Sequence, residues 1–141
     1  MEQRISLITL GVQDVEASAQ FYERLGWTRA ESPDGIVAFD LMSQTLGLYA
    51  LDKLAEDLNL PIEALGTGAM TLSHNVRDAE EVAPLLARAE AAGAAILRPA
   101  GPVFWGGTIG YFQSPDGHIW EIAHNPYSAL SPEGAFRWNG Y

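Results

Sequence analysis

One order of elements is written twice along this chain, and that repetition limits its folds more than any other feature. Ile5 to Val12 is a β-rich apolar run, with Ile5, Leu7 and Thr9 on one face and Ser6, Ile8 and Leu10 on the other. Asp14 can then accept hydrogen bonds from the free N–H groups of a first helical turn. Val15, Ala19 and Tyr22 fall on one stripe with Ser18, Phe21 and Leu25 beside it, and Gly26 is a natural stop. At a spacing of 64 residues Val12-Gln13-Asp14 becomes Val76-Arg77-Asp78. There a strand from Ala69 to Val76 leads through Asp78 into the stripe Val82/Leu85/Leu86/Ala89, ending near Gly93. Pro84 lies within the first two turns and predicts a displaced helix start rather than a break.

Three short strands follow each helix: Trp27–Glu31, Ile36–Leu41 and Leu46–Leu51 in the first half, Ala94–Arg98, Thr108–Gln113 and His118–His124 in the second. Ser-Pro-Asp-Gly occurs at 32–35 and at 114–117, where proline presets φ and glycine supplies the positive φ that closes a turn. The expected architecture is α+β within a single domain, 1–141. Its parts are a first βαβββ module (4–51), a linker (52–68) with a short helix over Lys53–Leu60, a second βαβββ module (69–124) and a tail (125–141).

Composition narrows the function classes. Eighteen Asp and Glu against eight Lys and Arg give a formal charge of −10, which disfavours nucleic acid and anionic membrane surfaces as partners. Without cysteine there are no disulfides, thiolate nucleophiles, Cys-zinc sites or iron–sulfur clusters. No apolar run approaches the roughly 18 to 20 residues of a membrane helix, and Met1-Glu2-Gln3-Arg4 lacks the apolar core of a signal peptide. The expectation is a cytoplasmic protein that handles small molecules. Its tail carries Tyr127, Phe136, Trp138 and Tyr141, an aromatic density suited to docking on the chain itself or on a partner.

Two sets of residues resemble the vicinal-oxygen-chelate superfamily, which includes glyoxalase I, bleomycin-resistance proteins, fosfomycin-resistance enzymes and extradiol dioxygenases. The first is Leu10-Gly-Val-Gln-Asp-Val with Phe21-Tyr22 and Leu25-Gly26. The second runs from Val103-Phe-Trp-Gly-Gly-Thr through Ser114-Pro-Asp-Gly-His-Ile-Trp-Glu to His124-Asn-Pro126. The likeness covers about residues 4 to 126 and is strongest to the glyoxalase-like branch. It implies two half-barrel cups around a cleft that holds metal and substrate, and association into a homodimer, for which the aromatic tail supplies apolar area. It also implies metal ligands on the first and last strands of each half. Those positions fall at about Leu7, within Leu46–Leu51, near Ala69 or Thr71, and at Glu121. Only Glu121 matches a ligand, and a divalent-metal site needs three or four N/O donors. No cofactor is therefore expected, with a divalent metal as the minority alternative.

Strand alternation separates Glu121 from the histidines: His118, Trp120, Ile122 and His124 share one face and Glu121 takes the other, while His74 lies with Leu72. Across the second Pro-Asp-Gly turn Gln113 should face Ile119, Phe112 Trp120 and Tyr111 Glu121. The expected ligand-binding residues are Leu7, Thr9, Thr71, Ser73, Trp105, Tyr111 and Glu121. Trp105 can stack on a ligand beside Gly106-Gly107, or simply be core. Three functions compete: metal-free binding of a small molecule between the modules, as in bleomycin resistance; a glyoxalase-type lyase, isomerase or dioxygenase with Glu121 as general base and Tyr111 as proton donor; and a structural subunit acting through the tail.

Overall fold

A computed structural model describes residues 3, 5–32, 35–67 and 70–141. Pro33 and Asp34 of the first Ser-Pro-Asp-Gly turn, Gly68 of the linker, and Ala69, expected to begin a strand and to mark a ligand position, lie outside the described residues. The chain divides into two compact units, 1–66 and 67–141. None of its helices, among the described residues, is long and apolar enough to cross a membrane.

The first unit begins with β1 (Leu7–Val12) and α1 (Val15–Leu25). The Asp14 carboxylate accepts from the Ala17 N–H at 2.9 Å and starts the helix, and Gly26 ends it at φ +106°. Strands β2 (Ile36–Asp40) and β3 (Thr45–Ala50) complete a sheet of order β1-β3-β2, with β1 parallel to β3. Alternation turns Leu10, Val12, Phe39, Leu46 and Leu48 inward, where they pack with Phe21 and Tyr22 of α1. Helix α2 (Leu51–Leu58) packs on β1 and β3 through the bare backbone of Gly11. A Cβ added there would stand 2.7 Å from Leu51 and 2.9 Å from Leu54.

The strand expected over Trp27–Glu31 is not formed; the segment touches the sheet at one bridge, Ala30 to Ala38. Side chains account for the difference. The Trp27 indole stacks on Tyr22 at 5.2 Å and 19°, and Arg29 is drawn back to α1 by Glu16 and Glu23, both at 2.8 Å. These contacts tie the segment to the helix instead of extending it along β2.

The second unit comprises β4 (Thr71–Asn75), α3 (Val82–Ala92), β5 (Ala95–Pro102), β6 (Thr108–Gln113) and β7 (Ile119–His124), in the sheet order β4-β7-β6-β5. Asp78 and Glu81 form a reciprocal capping box, a 3₁₀ turn spans Ala79–Glu81, and α3 starts at Val82. Pro84 is thus the third helical residue, where no N–H is required. Phe112 and Trp120 stack at 6.1 Å and 7°. The α3 side chain of Leu86 lies against Gly110, whose added Cβ would meet Leu86 Cδ1 at 2.3 Å, the Arg98 carbonyl at 3.0 Å and the Ala100 nitrogen at 3.2 Å. Gly110→Ala is expected to destabilise by about 1–3 kcal/mol, because two of those three neighbours are backbone. A denaturant midpoint equal to wild type would contradict that packing.

The tail folds back on its own unit. Arg77 donates to the carbonyls of Ser131 and Pro132 at 2.9 and 2.7 Å, and Ser128 Oγ donates to the Trp138 carbonyl. Tyr127, Phe136, Trp138 and Tyr141 nevertheless keep much of their surface open to solvent.

Candidate functional site

The second sheet is covered by α3 on one face only. Gly110, Phe112, Trp120 and Ile122 belong to the covered face, so the alternation of β6 and β7 turns Tyr111 and Glu121 to the other. The hairpin sets their register. Gly117 at φ +90° lets its N–H reach the Ser114 carbonyl at 2.9 Å, and the Ser114 N–H reaches the His118 carbonyl at 2.9 Å. Gln113 then pairs with Ile119, Phe112 with Trp120 and Tyr111 with Glu121.

On the far side of β7, parallel β4 places Ser73 beside Glu121 and Thr71 two pairs further along, beside Ile119. Ser73 Oγ donates to Glu121 Oε2 at 2.9 Å. The Tyr111 phenol stands beside the same carboxylate as its cross-strand pair, within reach of its charge. Burial and then the negative charge of Glu121 raise the Tyr111 pKa, so the phenol stays protonated and serves as a donor at neutral pH.

Arg98, which no sequence motif singles out, completes the row. Between Ile96, paired with Phe112, and Arg98, paired with Tyr111, β5 spends one residue more than β6, and it does so again before Gly101, paired with Ile109. Each irregularity adds a residue and re-aims the side chains after it. The result is a transverse row, Ser73–Glu121–Tyr111–Arg98, on four adjacent strands. The Arg98 charge opposes the rise in the Tyr111 pKa, placing the guanidinium within electrostatic reach of the phenol.

The corresponding row of the first unit carries no such charged or phenolic groups. The 64-residue spacing takes Thr9 to Ser73, and Thr9 pairs with Gly47, Gly47 with Ala38, and Ala38 with Ala30. Where the second unit carries a carboxylate, a phenol and a guanidinium, the first carries hydrogen and two methyl groups. Leu7 and Ile36 flank Gly47, each 3.3 Å from where its Cβ would be. Leu7 and Thr9 are thus part of a smooth, largely apolar surface within their own unit.

Trp105 is not brought to the row. It lies in a turn closed by Gly106 N–H to the Val103 carbonyl and Val103 N–H to the Gly107 carbonyl, both 2.9 Å. Its indole occupies the space a Gly107 side chain would need, 2.0 Å from an added Cβ, which explains why glycine stands there. Four residues of extended chain, about 13 Å, separate Gly107 from Tyr111. Neighbouring Phe104 is fully exposed, at 102%.

The donor set around Glu121 does not fit a divalent metal. Its companions on that face are the hydroxyls of Ser73, Thr71 and Tyr111, and no group of three or more His, Cys, Asp or Glu side chains converges among the described residues. The histidines lie on the other face: His74 pairs with Ile122, and His118 and His124 share the alternation of Trp120.

His118 has a role of its own. It is 7% exposed, its Nδ1 is buried without a hydrogen-bond partner among the described residues, and desolvation lowers its pKa against the opposing charge of Asp116. Below about pH 6.5 the unfolded chain therefore takes up a proton that the folded ring resists, and stability falls until the lower folded-state value is passed. His74, also lowered by desolvation, contributes with the same sign. Glu16, held down to about 2 by hydrogen bonds from Arg29 and Gln20, acts only in a lower window beginning near 4.5. The expected outcome is a loss of stability between pH 7 and 5 that shrinks in His118→Gln. Identical pH profiles for the two proteins, measured by urea denaturation, would contradict it.

Comparison with known proteins agrees with the fold. Residues 4–122 match the family model described as Glyoxalase/Bleomycin resistance protein/Dioxygenase superfamily. A glyoxalase-related enzyme from Fulvimarina pelagi is 40% identical over 99% of this chain and 100% of its own, with a TM-score of 0.89. A hypothetical protein from S. aureus is 28% identical over 89% and 95% at a TM-score of 0.76. A lactoylglutathione lyase from Agrobacterium tumefaciens, 21% identical over 89% and 96% at a TM-score of 0.68, shares the fold. No curated protein matches significantly.

Proposed function

This chain belongs to the glyoxalase/bleomycin resistance protein/dioxygenase superfamily, and we propose that within it the chain binds a small molecule against the Ser73–Glu121–Tyr111–Arg98 row without a divalent metal. The observation that carries this reading is the single carboxylate flanked by hydroxyls. Glu121 accepts from Ser73 on one side and faces its cross-strand pair Tyr111 on the other. Such a carboxylate is already oriented, and it still has acceptor capacity for a ligand. A metal in its place would find one ionised ligand where it needs three or four donors.

Native mass spectrometry of the purified protein tests the binding, with a retained or added small molecule expected on wild type and reduced occupancy on Glu121→Gln. Elemental analysis tests the metal, and the expected result is no stoichiometric transition metal. About one Zn, Ni or Fe per chain after mild purification would overturn the metal-free reading.

A second reading is favoured by the protonated phenol beside the carboxylate: Glu121 as general base towards a bound carbon acid, with Tyr111 hydrogen bonding to the oxygen on which charge develops. Exchange of substrate C–H for solvent deuterium that is lost in Glu121→Gln, with binding retained, would select it over simple binding.

A further inference from the structure

We infer that the ligand of this row is amphoteric, with a cationic nitrogen seated on Glu121 and an oxyanion on Arg98, its chain lying across Tyr111. The inference rests on the small-molecule reading of the same site and gives it a chemical class. Glu121 and Arg98 stand two strands apart with Tyr111 between them, a backbone separation of about 9–10 Å that the arginine side chain can shorten. They are the charged residues of that row, and they carry opposite signs.

Neither is used up by the protein. A carboxylate offers about four acceptor directions, and among the described residues Ser73 donates to one, with Tyr111 beside it as its cross-strand pair. Among the described residues the Arg98 side chain forms no ion pair or hydrogen bond, yet the irregularity in β5 between Ile96 and Arg98 aims it at this face. Its planar fork of donors suits a carboxylate or another oxyanion. A purely anionic ligand would approach a chain of net charge −10 and meet Glu121. A purely cationic one would leave Arg98 unanswered. A molecule carrying both charges satisfies both ends, and the corresponding row in the first unit, Thr9–Gly47–Ala38–Ala30, offers no competing charge.

The test is ligand-detected and amide-shift NMR titration with γ-aminobutyrate, δ-aminovalerate and ε-aminocaproate, against the matched alkylamines and alkanoates. Wild type, Arg98→Gln and Glu121→Gln are compared, with circular dichroism confirming that each variant is folded. At least one amino acid of the series is expected to bind about tenfold more tightly than its matched amine and carboxylate. Arg98→Gln should weaken that amino acid by about ten- to hundredfold and leave the amine unchanged, while Glu121→Gln should weaken the amino acid by a similar factor, weaken the amine, and leave the carboxylate no weaker. An amine that binds as well as the amino acids and ignores Arg98→Gln, but is lost in Glu121→Gln, would overturn the amphoteric class and leave the site standing. Binding that ignores both substitutions would overturn site and class together. No binding by any of the amino acids would overturn the class, and the native mass measurement would still decide the site.

Discussion

Phe39→Ala is expected to lower the free energy of unfolding by about 3–5 kcal/mol. Phe39 is 1% exposed and sits between Tyr22, at 5.8 Å between ring centroids, and Trp27, at 5.7 Å. Removing its ring takes apolar surface from the core and opens a cavity that the two remaining aromatics, themselves stacked at 5.2 Å, cannot both move to fill. The effect should be read in amide exchange of α1 and β3, the elements that share this core. Phe104→Ala supplies the contrast: the same chemical change at a fully exposed ring should stay within about 0.5 kcal/mol. Comparable losses at both positions would mean that the ring cluster is not the source of stability in the first unit.

Glu121→Gln should separate folding from function. Glutamine keeps the shape of the side chain and an oxygen to accept from Ser73, so the melting temperature is expected to move little. Affinity for a ligand that presents a cationic or donor group should fall by about ten- to hundredfold, the usual worth of a hydrogen bond to a charged group. A spectroscopic consequence accompanies it. The negative charge of Glu121 raises the Tyr111 pKa after burial does, so phenolate formation should shift to lower pH in the variant while staying above the free-tyrosine value through burial. Unchanged tyrosine titration would remove the phenol–carboxylate contact from the site. A large loss of stability would point to a buried cation or metal on Glu121.

Much of this site is legible in the sequence. The Tyr111–Glu121 pairing follows from a turn whose proline and glycine determine where the chain reverses, and from the period-two alternation that sends Trp120 and Phe112 under the helix. The helix limits at Asp14, Gly26, Asp78 and Gly93 follow from the same kind of local hydrogen bonding. Alternation also places Thr71 and Ser73 on the face of Glu121. Which of the two lies beside it, however, depends on parallel pairing across 48 residues of sequence.

What only the tertiary structure decided shares one physical cause: it depends on contacts between residues remote in sequence. Arg98 reaches the row because β5 accommodates extra residues against β6, and nothing in Ala95 to Pro102 marks where the ladder slips. Trp27 to Glu31 reads as a strand in sequence, but in the fold Trp27 stacks on Tyr22, Arg29 pairs with Glu16 and Glu23, and the segment keeps a single bridge to β2. Turns, caps and alternation are set by neighbours along the chain, and the sequence alone determines them. Lateral register, bulges and the choice between two packing partners are settled by the whole core at once.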